Sequence, residues 1–341
     1  MTIEEAVDIT QGGKKNIILD ATILTALMTC PRFADFRFNL HLQSINGKSN
    51  SLECGSLVHT FLEYFYKSLI SGTSRDQAVQ FGFAAAELYI RGCEFCTDFV
   101  PIHHADGNYN DIHICNERCQ LKPSCGHKIN EFTGMKNTPK ESEEYKTGWS
   151  YVLDVCDQYQ KYYINDHWIP LEVETVKGEI LYEDDEIRIL WKSKLDWIVD
   201  TNQGIFPVDH KTMKQNRKNN SMNNQFMGQC LIMRTRNVII NKVGFQKTLP
   251  AKDKFVRTPV SYSAERLLEW QNQTLPFYAK LLLMYAETGH FPPNFTACEG
   301  KYGDCPFYEH VCSNNPADRE DSLKQYFMVG PEWNPTNDED E

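Results

Sequence analysis

Residues 171–211 constrain the fold more than any other stretch of this 341-residue chain. Residues 171–182 read as one strand and Ile187–Val199 as a second, both rich in β-branched and aromatic residues. Asp200-Thr-Asn-Gln-Gly204 has turn chemistry, and Ile205–Lys211 reads as a third strand. If the turns close, the three form an antiparallel meander, whose apolar faces must then be covered by other elements.

The flanks supply helices for that purpose. Ile23, Leu24, Leu27 and Met28 recur at helical spacing behind Asp20 or Thr22 as N-cap, and Cys30-Pro31 closes the segment. Further helices are expected from about Gly55 to Leu69, Arg75 to Ile90 and Gly148 to Asn165. After the meander come a short helix near Gln225–Arg234, a strand near Val238–Phe245 and a long helix from about Ala264 to Glu287. The expected fold class is therefore α/β, a mixed central sheet flanked by helices. The organisation reads as a flexible arm (1–19), a helical part of the core (20–90), a Cys/His-rich insertion (91–147), the rest of the core (148–297), a Cys-bearing C-terminal region (298–330) and an acidic tail (331–341).

With 41% apolar and 12% aromatic residues the composition excludes a disordered or low-complexity chain. No stretch approaches 18 consecutive apolar residues, so no membrane partner is expected. The acidic N-terminus MTIEEAVDIT has no apolar run, and the expectation is a cytoplasmic chain, in the host cytoplasm if phage-encoded. In a reducing compartment, twelve cysteines at short spacings point to metal ligation rather than disulfides.

Asp196 stands near the end of one strand and Asp209 near the end of the next, with Lys211 two residues on and on the same face. Two carboxylates and a lysine at a strand end suit a hard divalent cation, Mg²⁺ or Mn²⁺, with the lysine orienting an attacking water. An isolated Asp-x-Lys is most often a surface pair; its flanks say more. Lys192-Ser-Lys-Leu-Asp196-Trp-Ile-Val-Asp200 followed by Gly204-Ile-Phe-Pro-Val-Asp209-His-Lys211-Thr closely resembles the PD-(D/E)XK nuclease superfamily in its RecB-like branch, which includes CRISPR-associated exonucleases. Gly55-Ser-Leu-Val-His59 matches that branch's helical Gly-x-x-x-His motif. The resemblance implies a restriction-endonuclease-like core, with His59, Asp196 and Asp209 as metal ligands. It implies Gln229 as a helical glutamine near the lysine, although Met233 stands where the motif has Tyr, and Gln225 one turn earlier could share the role. Glu172 or Glu174 resembles the branch's acidic strand residue.

Cys30 and the set Cys298-x6-Cys305-Pro-x5-Cys312 resemble the one-plus-three cysteines that hold a 4Fe-4S cluster in a subset of these nucleases, with a wider C-terminal spacing here. Four thiolates would equally suit zinc. Tying Cys30 to Cys298 would close a loop worth about 5 kcal/mol of chain entropy. In the insertion, Cys93-x2-Cys96 and Cys115-x3-Cys119, with Cys125 and His103, His104, His113 and His127 nearby, could close a Zn²⁺ site.

The formal net charge of −11 hides an uneven distribution. From Lys211 to Arg257 there are eleven Lys/Arg and one acidic residue, Asp253, a surplus of ten, so the rest of the chain carries −21. Lys214, Arg217, Lys218, Arg234 and Arg236 in that run are candidates for tracking a phosphate backbone. The expected activity is that of an Mg/Mn-dependent deoxyribonuclease, an exonuclease on single strands or duplex ends. The resemblance places it in DNA recombination, repair, replication or phage DNA metabolism, beside a helicase or recombination partner. The alternatives are a non-catalytic DNA-binding or adaptor protein on a nuclease scaffold and an RNA-directed nuclease.

Overall fold

The computed structural model describes residues 2–11, 14–45, 50–90, 143–213, 222–299, 304–330 and 332–334. The insertion cysteines and histidines, Cys93, Cys96, Cys115, Cys119 and Cys125 among them, lie outside the described residues, as do Lys214, Arg217 and Lys218.

The meander forms as its alternation dictates. β4 (Ile169–Glu183) pairs antiparallel with β5 (Ile187–Thr201), and β5 pairs antiparallel with β6 (Gly204–Met213). β7 (Asn237–Gly244) joins β6 in parallel, and β8 (Phe255–Ser261) joins β7 antiparallel. The sequence hid β8 because Pro259 interrupts it; at the sheet edge a missing donor is tolerated.

The first nineteen residues are not a loose arm. β1 (Val7–Gln11) and β2 (Lys14–Leu19) form a hairpin, and β2 adds to β5 in parallel, from Lys15↔Ile187 to Leu19↔Trp191. Ile17 and Leu19 are fully buried, an inward pair masked in sequence by Lys14, Lys15 and Asn16. The result is a mixed α/β architecture whose central sheet has seven strands among the described residues.

Two cores flank the sheet, and β5 serves both in turn. Ile187, Ile189 and Trp191 pack in one with Ile23 and Leu24 of α1 (Ala21–Thr29). Trp197 and Val199 pack in the other with Phe61 and Phe65 of α2 (Asn50–Ile70). Both tryptophans are fully buried, each contributing about 4–6 kcal/mol of gross apolar burial. α3 (Arg75–Ile90) and α4 (Glu143–Tyr162) complete the second core, and α5 (Asn224–Ile232) lies in the first.

Asp20 caps α1, its carboxylate accepting from the Ile23 amide at 2.8 Å, and the helix stops at Cys30 before Pro31. The expected long helix is divided into α6 (Ala264–Glu269), a π-helical segment Trp270–Thr274 and α7 (Leu275–Thr288). Pro276 has no N–H and its ring excludes a regular carbonyl four residues back, so the turn before it widens. A small third core, with Phe36, Phe307 and Val311, joins the C-terminal region to the segment after Cys30, and β3 (Leu42–Ser44) pairs there with β9 (Phe327–Val329). No helix among the described residues is long and apolar enough to cross a membrane.

Candidate metal and nucleic-acid site

The β5–β6 ladder runs from Thr201↔Gly204 to Trp197↔Val208 and ends there. The next two residues across the gap are Asp196 and Asp209. On the same edge of β5, β2 stops at Trp191, so residues 192–196 face an opening between two departing strands. With no ladder partner on β5, the His210 amide donates to Asp196 Oδ2 at 2.7 Å. The split in the sheet is what brings side chains to the places that backbone normally fills.

α2 supplies the third group. Gly55 is buried against β6, where a Cβ would meet Thr212 Oγ1 at 2.9 Å; this close approach requires glycine. One turn further on, His59 Nε2 donates to the His210 carbonyl at 3.0 Å. That bond fixes the tautomer and leaves the Nδ1 lone pair 3.8 Å from Asp196 Oδ2.

Glu174 completes the group. It lies on β4 between the pairs Val173↔Trp197 and Thr175↔Leu195, with a left-handed φ of +53° that costs a non-glycine residue about 1–2 kcal/mol. His59, Glu174 and Asp196 each present a ligand atom, all within 4.8 Å of one another. Of the two strand glutamates, Glu172 instead pairs with Lys177 at 2.8 Å.

Asp209 is completely buried beside this group but otherwise engaged. Its Oδ2 is 2.7 Å from Lys211 Nζ, and its Oδ1 accepts from Gln225 Nε2 at 2.8 Å. Gln225 Oε1 also accepts from Lys211 Nζ at 3.4 Å. The helical glutamine at the site is thus Gln225 rather than Gln229. Asn223 caps α5, its carboxamide oxygen accepting from the Gln225 amide, which sets Gln225 on the first turn facing the strand end. Gln229 is one turn deeper and buried, its Oε1 without a hydrogen-bond partner among the described residues.

Three carboxyl groups, Glu174, Asp196 and Asp209, meet two ammonium groups, Lys194 and Lys211, at the site. Burial raises the Asp196 and Glu174 carboxyls, Asp196 adding to the effect on Glu174. Burial and then Asp196 raise Asp209, against the pull of Lys211. Burial holds the His59 imidazole below its ordinary value, although Glu174 and Asp209 draw it up. A neutral imidazole among crowded carboxylates is a donor set that fits a hard divalent cation.

Behind the site is a buried polar network that sequence reasoning missed. Asn241 Nδ2 donates to His210 Nδ1 at 2.8 Å and to the Tyr159 hydroxyl at 2.9 Å, and Tyr159 bonds Tyr66 at 2.9 Å. Arg257 touches both phenols, pairs with Asp166 at 2.6 Å, and lies over the rings of Tyr163 and Trp168. Burial keeps His210 well below its usual pKa and hence neutral. The network fixes the residue whose amide and carbonyl hold Asp196 and His59. Its signal in sequence was Asn241 inside the apolar run Val238-Ile-Ile.

The four terminal cysteines also meet. Cys30 and Cys298 are buried, and the Cys305 amide donates to the Cys298 carbonyl at 2.8 Å. Burial and then Cys30 and Glu299 raise the Cys298 thiol; burial pushes Cys312 up to about 11, with Cys305, Cys298 and Cys30 adding to it. Among the described residues, His59, Glu174 and Asp196 form the one group of three ligand atoms within 4.8 Å of one another.

The basic run is less uniform than its count suggested. Arg257 and Lys254 are interior, Arg234 pairs with Glu179 at 3.1 Å, and Arg236 is the cation beside Glu265.

No family model matches the chain, and no curated protein matches it. Among solved structures, one described as "Crystal structure of SSO0001" is 8% identical, the match covering 48% of this chain and 70% of that one at a TM-score of 0.26.

Proposed function

We propose that the chain is a metal-dependent DNA nuclease of the PD-(D/E)XK superfamily, RecB-like branch, and that residues 298–330 with Cys30 bind an iron–sulfur cluster. The observation that carries the reading is the group His59, Glu174 and Asp196, gathered where the β5–β6 ladder ends, beside Asp209 and Lys211. Those residues offer carboxylate oxygens and an imidazole nitrogen in a number that fits Mg²⁺ or Mn²⁺. When bound, the ion supplies a Lewis acid for the phosphate and a source of nucleophilic water.

The chain's own groups do the rest. The Lys211 ammonium, partly exposed, is oriented by Asp209 and Gln225 and can place the attacking water and offset charge on the phosphate. The water oxygen forms the new P–O bond as the P–O3′ bond breaks, leaving a 5′-phosphate and a 3′-hydroxyl. The His210 amide and carbonyl hold Asp196 and His59 still throughout. For the cysteines, Cys30, Cys298 and Cys305 all lie near Cys312, which suits the one-plus-three thiolate set that the resemblance implies for 4Fe-4S.

The test is digestion of labelled DNA with Mn²⁺ or Mg²⁺ by wild type, Asp209→Ala and Lys211→Ala, with RNA of the same sequence as competitor. Both variants should lose at least a hundredfold in rate. Equal activity in all three refutes the assignment; tight DNA binding without cleavage in any divalent metal supports the adaptor alternative.

A further inference from the structure

A cleft of about 860 Å³ extends from Asp196 and Gln225 at the metal-binding group to Cys30 and Cys305 at the cysteine cluster. One wall is β5, which contributes Lys192 and Lys194 ahead of Asp196. Alternate residues of a strand share a face at intervals of about 6.7 Å, commensurate with the repeat of an extended phosphodiester backbone. The opposite wall is α1 and the turns that follow it, which present the hydroxyls of Thr22, Thr25 and Thr29 and one cation, Arg37, whose guanidinium donates to the Leu42 carbonyl at 3.3 Å. The row on β5 thus suits a single backbone, and one arginine on the facing wall is no matching row for the other strand of a duplex.

The two lysines differ. Lys194 Nζ is 2.9 Å from Glu174, so its charge is spent holding a residue of the metal-binding group. Lys192 has no acidic partner among the described residues. Its stem lies across Gly178 of β4, where a Cβ would meet its Cδ at 2.7 Å, so packing against the sheet holds it. An ammonium on a packed stem in a cleft, with no acid to neutralise it, is a phosphate-binding group.

We propose that this cleft carries one single nucleic-acid strand between the metal site and the cysteine cluster, with Lys192 holding a backbone phosphate of the segment beyond the scissile position. The inference rests on the nuclease reading above and adds to it the substrate form and the direction in which the strand lies.

The experiment measures binding of a fluorescein-labelled 20-nucleotide oligothymidylate, with Ca²⁺ in place of Mg²⁺, as a function of salt. Wild type, Lys192→Ala, Lys192→Arg and Lys324→Ala are compared, the last removing an exposed charge on α8 (Arg319–Tyr326). Losing one phosphate contact should weaken Lys192→Ala about fivefold at 0.1 M salt and make its log–log salt slope shallower by about 0.7. Lys192→Arg should recover most of the loss, and Lys324→Ala should match wild type. A Lys192→Ala protein with wild-type affinity and slope overturns the proposal while leaving the nuclease reading intact. So does an affinity loss with an unchanged slope, or an equal loss in Lys324→Ala. Blunt duplex bound as tightly as the single strand, with the same Lys192 dependence, refutes the one-strand cleft. Wild type that neither binds nor cleaves any nucleic acid removes both readings.

Discussion

Gly55→Ala is the substitution from which the geometry of the site can be tested with least chemistry. The added methyl would lie 2.9 Å from Thr212 Oγ1, about 0.5 Å inside ordinary contact, at a buried position between α2 and β6. The helix must retreat by a comparable distance unless Thr212 yields. His59 is carried on the next turn, so its 3.0 Å bond to the His210 carbonyl would stretch toward 3.5 Å, where such a bond is no longer made. Overpacking of this kind costs about 1–3 kcal/mol. Loss of the bond that orients a ligating histidine costs about 10–100-fold in metal affinity or activity. The expected variant is folded, melts a few degrees lower, and binds Mn²⁺ and cleaves DNA at least tenfold less well. Calorimetric titration with Mn²⁺, a cleavage time course and thermal denaturation in EDTA measure the three effects. Gly55→Ala/Thr212→Ala removes the obstructing hydroxyl and should recover most of each, a coupling of at least about 1 kcal/mol against the two single variants. Metal affinity and cleavage within twofold of wild type in Gly55→Ala, or no recovery in the double variant, would show that the glycine does not set the histidine.

Asp209→Asn should abolish cleavage yet stabilise the metal-free protein at neutral pH. Burial and Asp196 push the Asp209 carboxyl up to about 6, so the folded state holds that proton more tightly than the unfolded chain. Its stabilising contribution is complete below about pH 4 and lost as pH rises through about 6, and the variant escapes that loss by about 1–3 kcal/mol. Urea denaturation in EDTA at pH 4.5 and 7.5 should show the difference only at the higher pH. Glu174→Gln keeps the shape of the metal-binding group but removes a negative charge, and Mn²⁺ affinity should fall at least tenfold by titration. Cys298→Ser should cost protein purified without oxygen its iron and its absorbance near 400 nm, while an iron-free, colourless wild type that is fully folded would refute the cluster.

What the sequence disclosed followed the range of the interactions. β4, β5 and β6 alternate locally and turn locally, so the meander and the placing of Asp196 opposite Asp209 were legible from adjacent residues. β2 was not, because it is completed only by β5, some 170 residues away. The choice between Glu172 and Glu174 depended on a left-handed backbone at one position of an extended strand, which composition does not report. Gln225 displaced Gln229 because the helix start at Asn223 decides which glutamine faces the lysine. Counting charge pointed to the run after Lys211; in the folded chain Arg257 is interior, and the cleft-lining lysines lie on β5 itself.

The strand order also sets a schedule for synthesis. β2 leaves the ribosome long before its partner, which ends at Thr201, and Asn241 and Arg257 come later still. At about 5–20 residues per second, the N-terminal hairpin waits roughly 10–40 s for the strand that buries Ile17 and Leu19. During that interval it presents an unpaired edge, and no group able to hold a metal has yet formed. The group His59, Glu174 and Asp196 therefore gains its supporting network only once residue 257 has been made, and a protein stalled or truncated before that point should carry its acidic residues without the frame that aims them.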